Sequence, residues 1–220
     1  MDKLYYDGSS FSHLLPTGQN KNTGHYVAEK LGLELDHYGH NGKGVEKIIR
    51  SAMRYSFINK DAFMLIGFGS SQVLEVHTDD PGDFVKFPYK SFSEEHCVIP
   101  LQGEDLLHYA DLTEWQYCET KALFNIILLH DYLESNHINF LLHNLGNNYH
   151  YDSNFEFGKG VAEQINARPK ILNFYKNSLH SIIKDANLKP WDYEHYGWHG
   201  HADTQGHSVY ADFLMEHINV

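Results

Sequence analysis

Two short segments near opposite ends of the chain contain the residue types of a hydrolytic site with a serine nucleophile. One is Asp7-Gly8-Ser9-Ser10-Phe11-Ser12, and the other is His201-Ala202-Asp203-Thr204-Gln205-Gly206-His207. A serine hydroxyl becomes a good nucleophile when a neighbouring imidazole takes its proton, and the fold can bring that imidazole from anywhere in the chain. The two segments therefore predict acyl transfer, provided that they meet in space.

The first segment lies where a strand should end. Lys3-Leu4-Tyr5-Tyr6 is a short run rich in aromatic residues, which is typical of a strand. The Gly-Ser-Ser sequence that follows lets the backbone turn sharply and present one hydroxyl to solvent. On its own this pattern is weak evidence, because serine and glycine are common in loops.

Three motifs in a fixed order resemble those of the SGNH (GDSL-like) hydrolase family. The first is Gly8-Ser9-Ser10-Phe11-Ser12, and the second, Tyr38-Gly39-His40-Asn41-Gly42-Lys43-Gly44, is similar to the family's Asn-x-Gly-x-x-Gly turn. The third is the His201 to His207 segment, which precedes a terminal helix. The motifs are short, and the specificity lies in their order along nearly the whole chain.

The resemblance implies both an architecture and a set of site residues. The expected fold is α/β, a three-layer α/β/α sandwich with a mostly parallel, flavodoxin-like central sheet. Ser10 would be the nucleophile and His201 the general base, with the oxyanion hole formed by Ser10, Gly42, Gly69 and Ser70. No cofactor or metal is implied. The substrate would be a small-molecule or carbohydrate ester, with a preference for acetylated carbohydrate.

The chain departs from the family pattern in three places. Trp198 stands where the family has an Asp three residues before the catalytic His. His201 would then be oriented by Asp192, by Glu194, by a backbone carbonyl or by no group at all. Asp192 is our candidate for the triad acid. Gly67-Phe68-Gly69-Ser70 replaces Gly-x-Asn-Asp, which leaves Ser70 or Ser71 to supply the missing donor. Losing one such donor typically costs about 10²–10³ in rate. The Pro that commonly follows the His is Ala202.

Strand and helix patterns alternate along the chain, which predicts a parallel sheet with helices on its faces. Strands are predicted at 3–6, 33–38, 61–66 and 138–142, and helices at 44–55, 112–136, 171–186 and 206–218. Thr23 would cap a further helix that carries Tyr26, Val27 and Leu31. An irregular insertion around 75–110 would cover the site, and 147–157 would form a surface loop. Ligands of open α/β sheets bind beyond the carboxyl ends of the strands, where Ser10, Gly42 and the loop from Gly67 to Ser71 would lie. The position of His201 depends on the loop 189–200.

Length and charge set limits on the class of protein. The chain has 220 residues and 42% hydrophobic content, which favours one domain over 1–220. The 17 basic and 29 acidic residues give a net charge of -12, which argues against nucleic acid and anionic membrane partners. Two cysteines, no apolar leader at the N-terminus and no long apolar run favour a cytoplasmic protein. Oligomeric state is left open.

Two other functions compete with the serine esterase. The chain has 17 histidines, and His195, His199, His201 and His207 with Asp192 or Asp203 could bind zinc in a metal-dependent hydrolase, although their spacing matches no familiar zinc motif. Alternatively, aromatic segments such as 84–89 and 149–151 would suit sugar or protein binding. In that case the fold would be a catalytically degenerate binding or structural module.

Overall fold

The computed structural model describes residues 1–9, 12, 21–39, 43–69, 73–77, 84–88, 115–146, 156–172, 176–190, 194 and 201–218. The strands are β1 (Lys3–Asp7), β2 (Glu34–His37), β3 (Phe63–Phe68), β4 (Val73–His77), β5 (Phe84–Pro88) and β6 (Asn139–Asn144). The helices are α1 (Thr23–Leu31), α2 (Val45–Ile58), α3 (Trp115–Ser135), α4 (Glu156–Asn166), α5 (Leu179–Asp185) and α6 (Thr204–Met215).

Four parallel strands form the central sheet in the order β2-β1-β3-β6. Leu4 of β1 lies between Leu35 of β2 and Phe63 of β3. A single parallel bridge from Leu142 to Ile171 continues the sheet beyond β6. All four strands therefore end at the same edge of the sheet, as the alternating pattern predicts.

The side chains of the sheet divide between two hydrophobic cores, one on each face. Tyr5 and Met64 belong to the core covered by α2, α3 and α4. Leu4 and Leu65 belong to the core covered by α1, α5 and α6. This alternation follows from the period of two in a strand, and strands buried on both faces are expected to be apolar throughout. The predicted three-layer α/β/α sandwich is confirmed.

The structure differs from the predicted elements at three places in the middle and end of the chain. The strands β4 and β5 pair as an antiparallel hairpin within or beside the insertion predicted around 75–110, of which 78–83 and 89–110 lie outside the described residues. The helix α4 (Glu156–Asn166) was not predicted; it begins at the end of the surface loop predicted at 147–157, whose residues 147–155 are likewise not described. The helix predicted at 171–186 is shorter, since Ile171 pairs with Leu142 and α5 begins only at Leu179.

The N-terminus of α1 is capped by Asn22 and not by the predicted Thr23. The Asn22 side chain accepts a hydrogen bond from the His25 N–H, and Nδ1 of the His25 side chain accepts one from the Asn22 N–H. This reciprocal pair is a capping box, with histidine in the place usually taken by glutamate or glutamine. Thr23 is the first residue of the helix and is free to use its hydroxyl elsewhere.

Within the ranges given above, no helix combines the length and the apolar character needed to cross a bilayer.

The close approach of α1 to β1 gives a first testable prediction. A methyl group at Gly24 would overlap the ring of Tyr6, which is fully buried in the sheet. Since neither the sheet nor the ring has room to move, we expect Gly24→Ala to lower the free energy of unfolding by about 1–3 kcal/mol, as overpacking does. Urea denaturation measures the change.

Gly160 of α4 provides the matched control, because a methyl group there would meet nothing within 4 Å. Gly160→Ala should stabilise the protein by about 0.5–1 kcal/mol through helix propensity alone. If Gly24→Ala were as stable as the wild type, the packing of α1 on β1 described here would be wrong.

Candidate active site at the carboxyl edge of the sheet

A tight turn follows β1. The Ser12 N–H donates to the carbonyl of Ser9 at 2.9 Å, and the Ser12 hydroxyl donates to the same carbonyl at 2.6 Å. These bonds join the residues on either side of positions 10 and 11. Ser9 and Ser12 are therefore in contact, as a sharp turn between them requires, while the predicted nucleophile Ser10 lies outside the described residues.

Ser12 also joins the turn after β1 to the turn after β2. It is fully buried, and a Cβ atom at Gly8 would come within 2.7 Å of its hydroxyl oxygen. A Cβ atom at Gly39 would overlap the same hydroxyl. Glycine is needed at position 39 because the segments after β1 and β2 are in direct contact, and at position 8 because Ser12 and Leu145 both approach it closely.

The carbonyl of Ser12 is held by two side chains. The amide of Asn22 donates to it at 2.5 Å, and Nε2 of His37 lies 3.0 Å from it. His37 is the last residue of β2, and Asn22 is the cap of α1. Ser12 is thus held from both sides. Neither residue was selected from the sequence, although a polar residue at the end of a strand was a possible signal for His37.

A buried ion pair lies at the end of β1. Nζ of Lys43 is 2.5 Å from each carboxylate oxygen of Asp7, which also accepts hydrogen bonds from the Tyr5 hydroxyl at 2.5 Å and the Gly8 N–H at 2.7 Å. Burial raises the pKa of Asp7, while the Lys43 ammonium, the Tyr5 hydroxyl and the Gly8 N–H oppose that rise. The carboxyl group is therefore fully satisfied in a site closed to water.

His201 lies just before α6, in a short segment of defined geometry. Asp203 caps the helix, since its side chain accepts a hydrogen bond from the Gly206 N–H at 2.7 Å. Ala202 is buried, and a Cβ atom at Gly206 would lie only 3.2 Å from the Ala202 side chain. Ala202 and Asp203 are thus held closely against the first turn of α6.

Contacts through His207 connect this segment to the turn after β1. Nδ1 of the buried His207 is 2.9 Å from the hydroxyl of Thr23, which follows the Asn22 that holds Ser12. Burial, together with the nearby imidazoles of His201 and His25, lowers the pKa of His207 to about 4. The two segments picked out in the sequence therefore lie at the same edge of the sheet.

The end of β3 is packed against the end of β6. The Leu145 N–H donates to the carbonyl of Phe68 at 2.8 Å, and a Cβ atom at Gly67 would lie 2.7 Å from the ring of His143. Gly69, a candidate for the oxyanion hole, is buried at this point. Gly67 is needed here because β3 and the segment after β6 approach so closely.

His143 is buried in the sheet beside this contact. Its Nδ1 lies 3.1 Å from the hydroxyl of Tyr210, which donates to the carbonyl of Asn144 at 2.8 Å. Its Nε2 has no hydrogen-bond partner among the residues that the structure describes. Burial lowers the pKa of His143 to about 3, so this side chain is neutral at physiological pH.

The structure describes only a few of the remaining site residues that the sequence predicts. Gly42, Ser70, Asp192, His195 and His199 lie outside the described residues. Glu194, the other carboxylate considered for orienting His201, is solvent-exposed. Across the described part of the chain, no group of three or more His, Cys, Asp or Glu side chains is placed to hold a metal ion.

The two buried histidines give a prediction about stability and pH. In the unfolded chain both have an ordinary pKa of about 6.5, so below that pH the unfolded chain binds protons that the folded protein does not. This difference persists down to about 4 for His207 and about 3 for His143. The free energy of unfolding should therefore fall as the pH drops from about 6.5 towards 5, by up to about 1.4 kcal/mol per pH unit for each histidine.

Urea unfolding at a series of pH values measures this slope. His207→Gln keeps a partner for Thr23 and removes one titrating group. Its free energy of unfolding should therefore fall less steeply with pH than that of the wild type, by up to about 1.4 kcal/mol per pH unit, which is the contribution of one proton. Replacement of His217, which is solvent-exposed, by Gln is the control and should leave the slope near the wild-type value. A wild-type slope in His207→Gln would contradict the assignment.

Comparison with known proteins gives matches of structure but not of sequence. No protein-family model matches the chain, and no curated protein matches its sequence. The fold is similar to that of a protein from Desulfitobacterium hafniense DCB-2 described as a lipolytic protein of the G-D-S-L family, with a TM-score of 0.55, 12% identity, and coverage of 99% of this chain and 100% of that one.

Two further solved structures point to the same fold. An acetylxylan esterase from Geobacillus stearothermophilus aligns with a TM-score of 0.52 and 12% identity, over 100% of this chain and 94% of that one. The lipase/acylhydrolase from Enterococcus faecalis aligns with a TM-score of 0.52 and 13% identity, over 98% and 94% of the two chains. The chain has the fold of the SGNH (GDSL-like) hydrolases, which confirms the resemblance seen in the sequence at the level of fold.

Proposed function

We propose that the protein is a serine esterase of the SGNH type, with Ser10 as nucleophile and His201 as general base. The observation that carries this proposal is the chain of contacts from Ser12 through Asn22 and Thr23 to His207. These contacts support the proposal because they connect Ser12, two residues after Ser10 in the sequence, to the helix α6 that follows His201. Open parallel sheets bind their ligands at the carboxyl edge.

The choice of Ser10 over Ser9 rests on the motif and on burial. Ser10 occupies the nucleophile position of Gly-x-Ser, while Ser9 is buried and uses its carbonyl to close the turn. The hydroxyl of Ser9 has no hydrogen-bond partner among the described residues. Because Ser9 is buried, its hydroxyl is less accessible to an ester substrate, which favours Ser10 as the nucleophile.

The proposed reaction proceeds by two acyl transfers. His201 takes the proton of the Ser10 hydroxyl as its oxygen attacks the ester carbonyl, and then gives that proton to the leaving alcohol as the ester bond breaks. Water attacks the acyl-enzyme in the same manner and regenerates Ser10, with release of the acid. The backbone N–H groups of Ser10 and Gly42, with Gly69 and Ser70, would stabilise the oxyanion. Asp192 is the proposed orienting carboxylate.

Acetylated carbohydrate is the proposed substrate class. Support comes from structural neighbours that include acetylxylan esterases, and from the absence of any long apolar segment in the sequence suited to a lipid chain. A net charge of -12 also disfavours anionic polymers as substrates. The length of the chain and its two cysteines also favour a protein that forms one domain and works in the cytoplasm.

The proposal predicts which serine is labelled by a fluorophosphonate. The reagent should attach to the wild-type protein at Ser10, because attachment reports an activated hydroxyl independently of the substrate. Hydrolysis of p-nitrophenyl acetate should fall by about 10³-fold or more in Ser10→Ala and in His201→Ala. Mass spectrometry of the labelled peptide and initial-rate kinetics are the measurements.

Ser9→Ala is the matched control for the serine and should retain both labelling and turnover. EDTA should leave the rate unchanged. Activity that survives Ser10→Ala but is lost with EDTA would favour the metal-dependent hydrolase. A wild type that neither reacts with the reagent nor hydrolyses acetyl esters, including acetylated sugars, would favour the binding module.

A further inference from the structure

We infer that the buried Asp7–Lys43 pair positions the two backbone N–H groups of the oxyanion hole relative to each other. The inference rests on the proposed function and adds two residues that no motif identifies. Asp7 is the last residue of β1, three positions before Ser10, and Lys43 immediately follows Gly42. One ion pair therefore lies within three residues of both proposed oxyanion donors.

The pair is withdrawn from water almost completely. The side chain of Asp7 is 0% exposed and that of Lys43 is 4% exposed. Burying two charges costs several kcal/mol each, and their attraction with good hydrogen bonds only offsets this cost. An apolar pair of similar size would stabilise a fold equally well. Stability alone therefore gives little reason to place two charges at this point.

The hydrogen bonds of Lys43 connect the ion pair to the segment that contains Gly42. Besides Asp7, the Lys43 ammonium donates to the carbonyl of Tyr38 at 3.3 Å. Tyr38 and Lys43 stand at the two ends of the segment that contains Gly42, so this bond holds the ends of that segment together. The bond from the Tyr38 N–H to the Tyr6 carbonyl at 2.8 Å ties the same segment to β1.

The other end of the pair fixes the start of the Ser10 turn. The Asp7 carboxylate accepts the Gly8 N–H, and Tyr5 holds the second carboxylate oxygen. The Tyr5 ring also packs against the ring of Tyr38, with centroids 5.0 Å apart. A displacement of the carboxylate would thus move both segments, since each is bonded to it or to the lysine that it holds.

Local electrostatics would otherwise disfavour a lysine at position 43. The helix α2 begins at Val45, and its cap residue Gly44 offers no side-chain acceptor. The N-terminus of a helix carries partial positive charge, so a cation beside it is unfavourable. The Asp7 carboxylate compensates for this charge, which makes the position of Lys43 dependent on Asp7.

The test compares variants in which the charges are removed together. Asp7→Asn/Lys43→Met leaves no unpaired buried charge, so it should fold with a wild-type circular dichroism spectrum. Its kcat on p-nitrophenyl acetate should fall by about 10²-fold, as expected for a misplacement of about 1 Å, while KM stays within about twofold. The rate of fluorophosphonate labelling should fall in parallel.

Tyr5→Phe is a second and milder variant, which keeps the ion pair and loses one hydrogen bond to Asp7. It should lower kcat several-fold with little effect on KM. Asp131→Asn/Arg168→Met is the control. It removes an ion pair at the protein surface, between Asp131 of α3 and Arg168, which follows α4. This control should retain the wild-type kcat even if its melting temperature falls.

The outcomes separate this inference from the proposed function. An active wild type, with wild-type kcat in folded Asp7→Asn/Lys43→Met and in Tyr5→Phe, would overturn the positioning role alone and leave the esterase in place. A wild type that is inert toward acetyl esters and fluorophosphonate would overturn both. A selective fall of kcat in the two site variants, absent from the control, is the result expected.

Discussion

The parallel pairing of β1 with both of its neighbours is the constraint on which the rest of the structure depends. Because β2 and β3 run in the same direction as β1, the residues that follow all three strands meet at one edge. Parallel neighbours require crossover helices, and these bury both faces of the sheet. The apolar cores therefore fix the sheet, while the residues beyond the strand ends are free to be polar and to do chemistry.

Buried polar side chains are concentrated at this edge. Asp7, Ser12, Asn22, Thr23 and His207 are nearly or fully buried, and each makes hydrogen bonds there. Burying such groups costs free energy unless they are paired, so a compact fold without a function at this edge would do as well with apolar residues. Sites where sequences depart from the best choice for stability are often functional. The distribution of buried polarity thus points to the same edge as the motifs do.

The sequence predicted the parts of the fold that local patterns determine. The central strands and the two ends of the site follow from apolar runs and from the order of the motifs. Pairings across the chain were not predictable. Ile171 lies in a helical pattern, yet its contact with Leu142 stops the helix from starting there. In the site, an isolated aspartate at a strand end and a lysine in a glycine-rich turn carry no local signal that they meet. Their pairing depends on the parallel alignment of β1 and β2, which brings the segment after β2 beside the end of β1.

The departures from the family pattern make precise positioning of the backbone more important. In the SGNH pattern that the sequence resembles, Gly69 would correspond to an asparagine whose amide donates to the oxyanion, and glycine has no side chain that could do so. If Ser10 and Gly42 carry the negative charge with fewer donors, each remaining N–H contributes more, and an error in its position costs more rate. A rigid connection between the two segments is then of greater value than in a site with a third donor. The buried ion pair, the contact of Ser12 with Gly39 and the two donors on the Ser12 carbonyl all provide that rigidity at the same two segments.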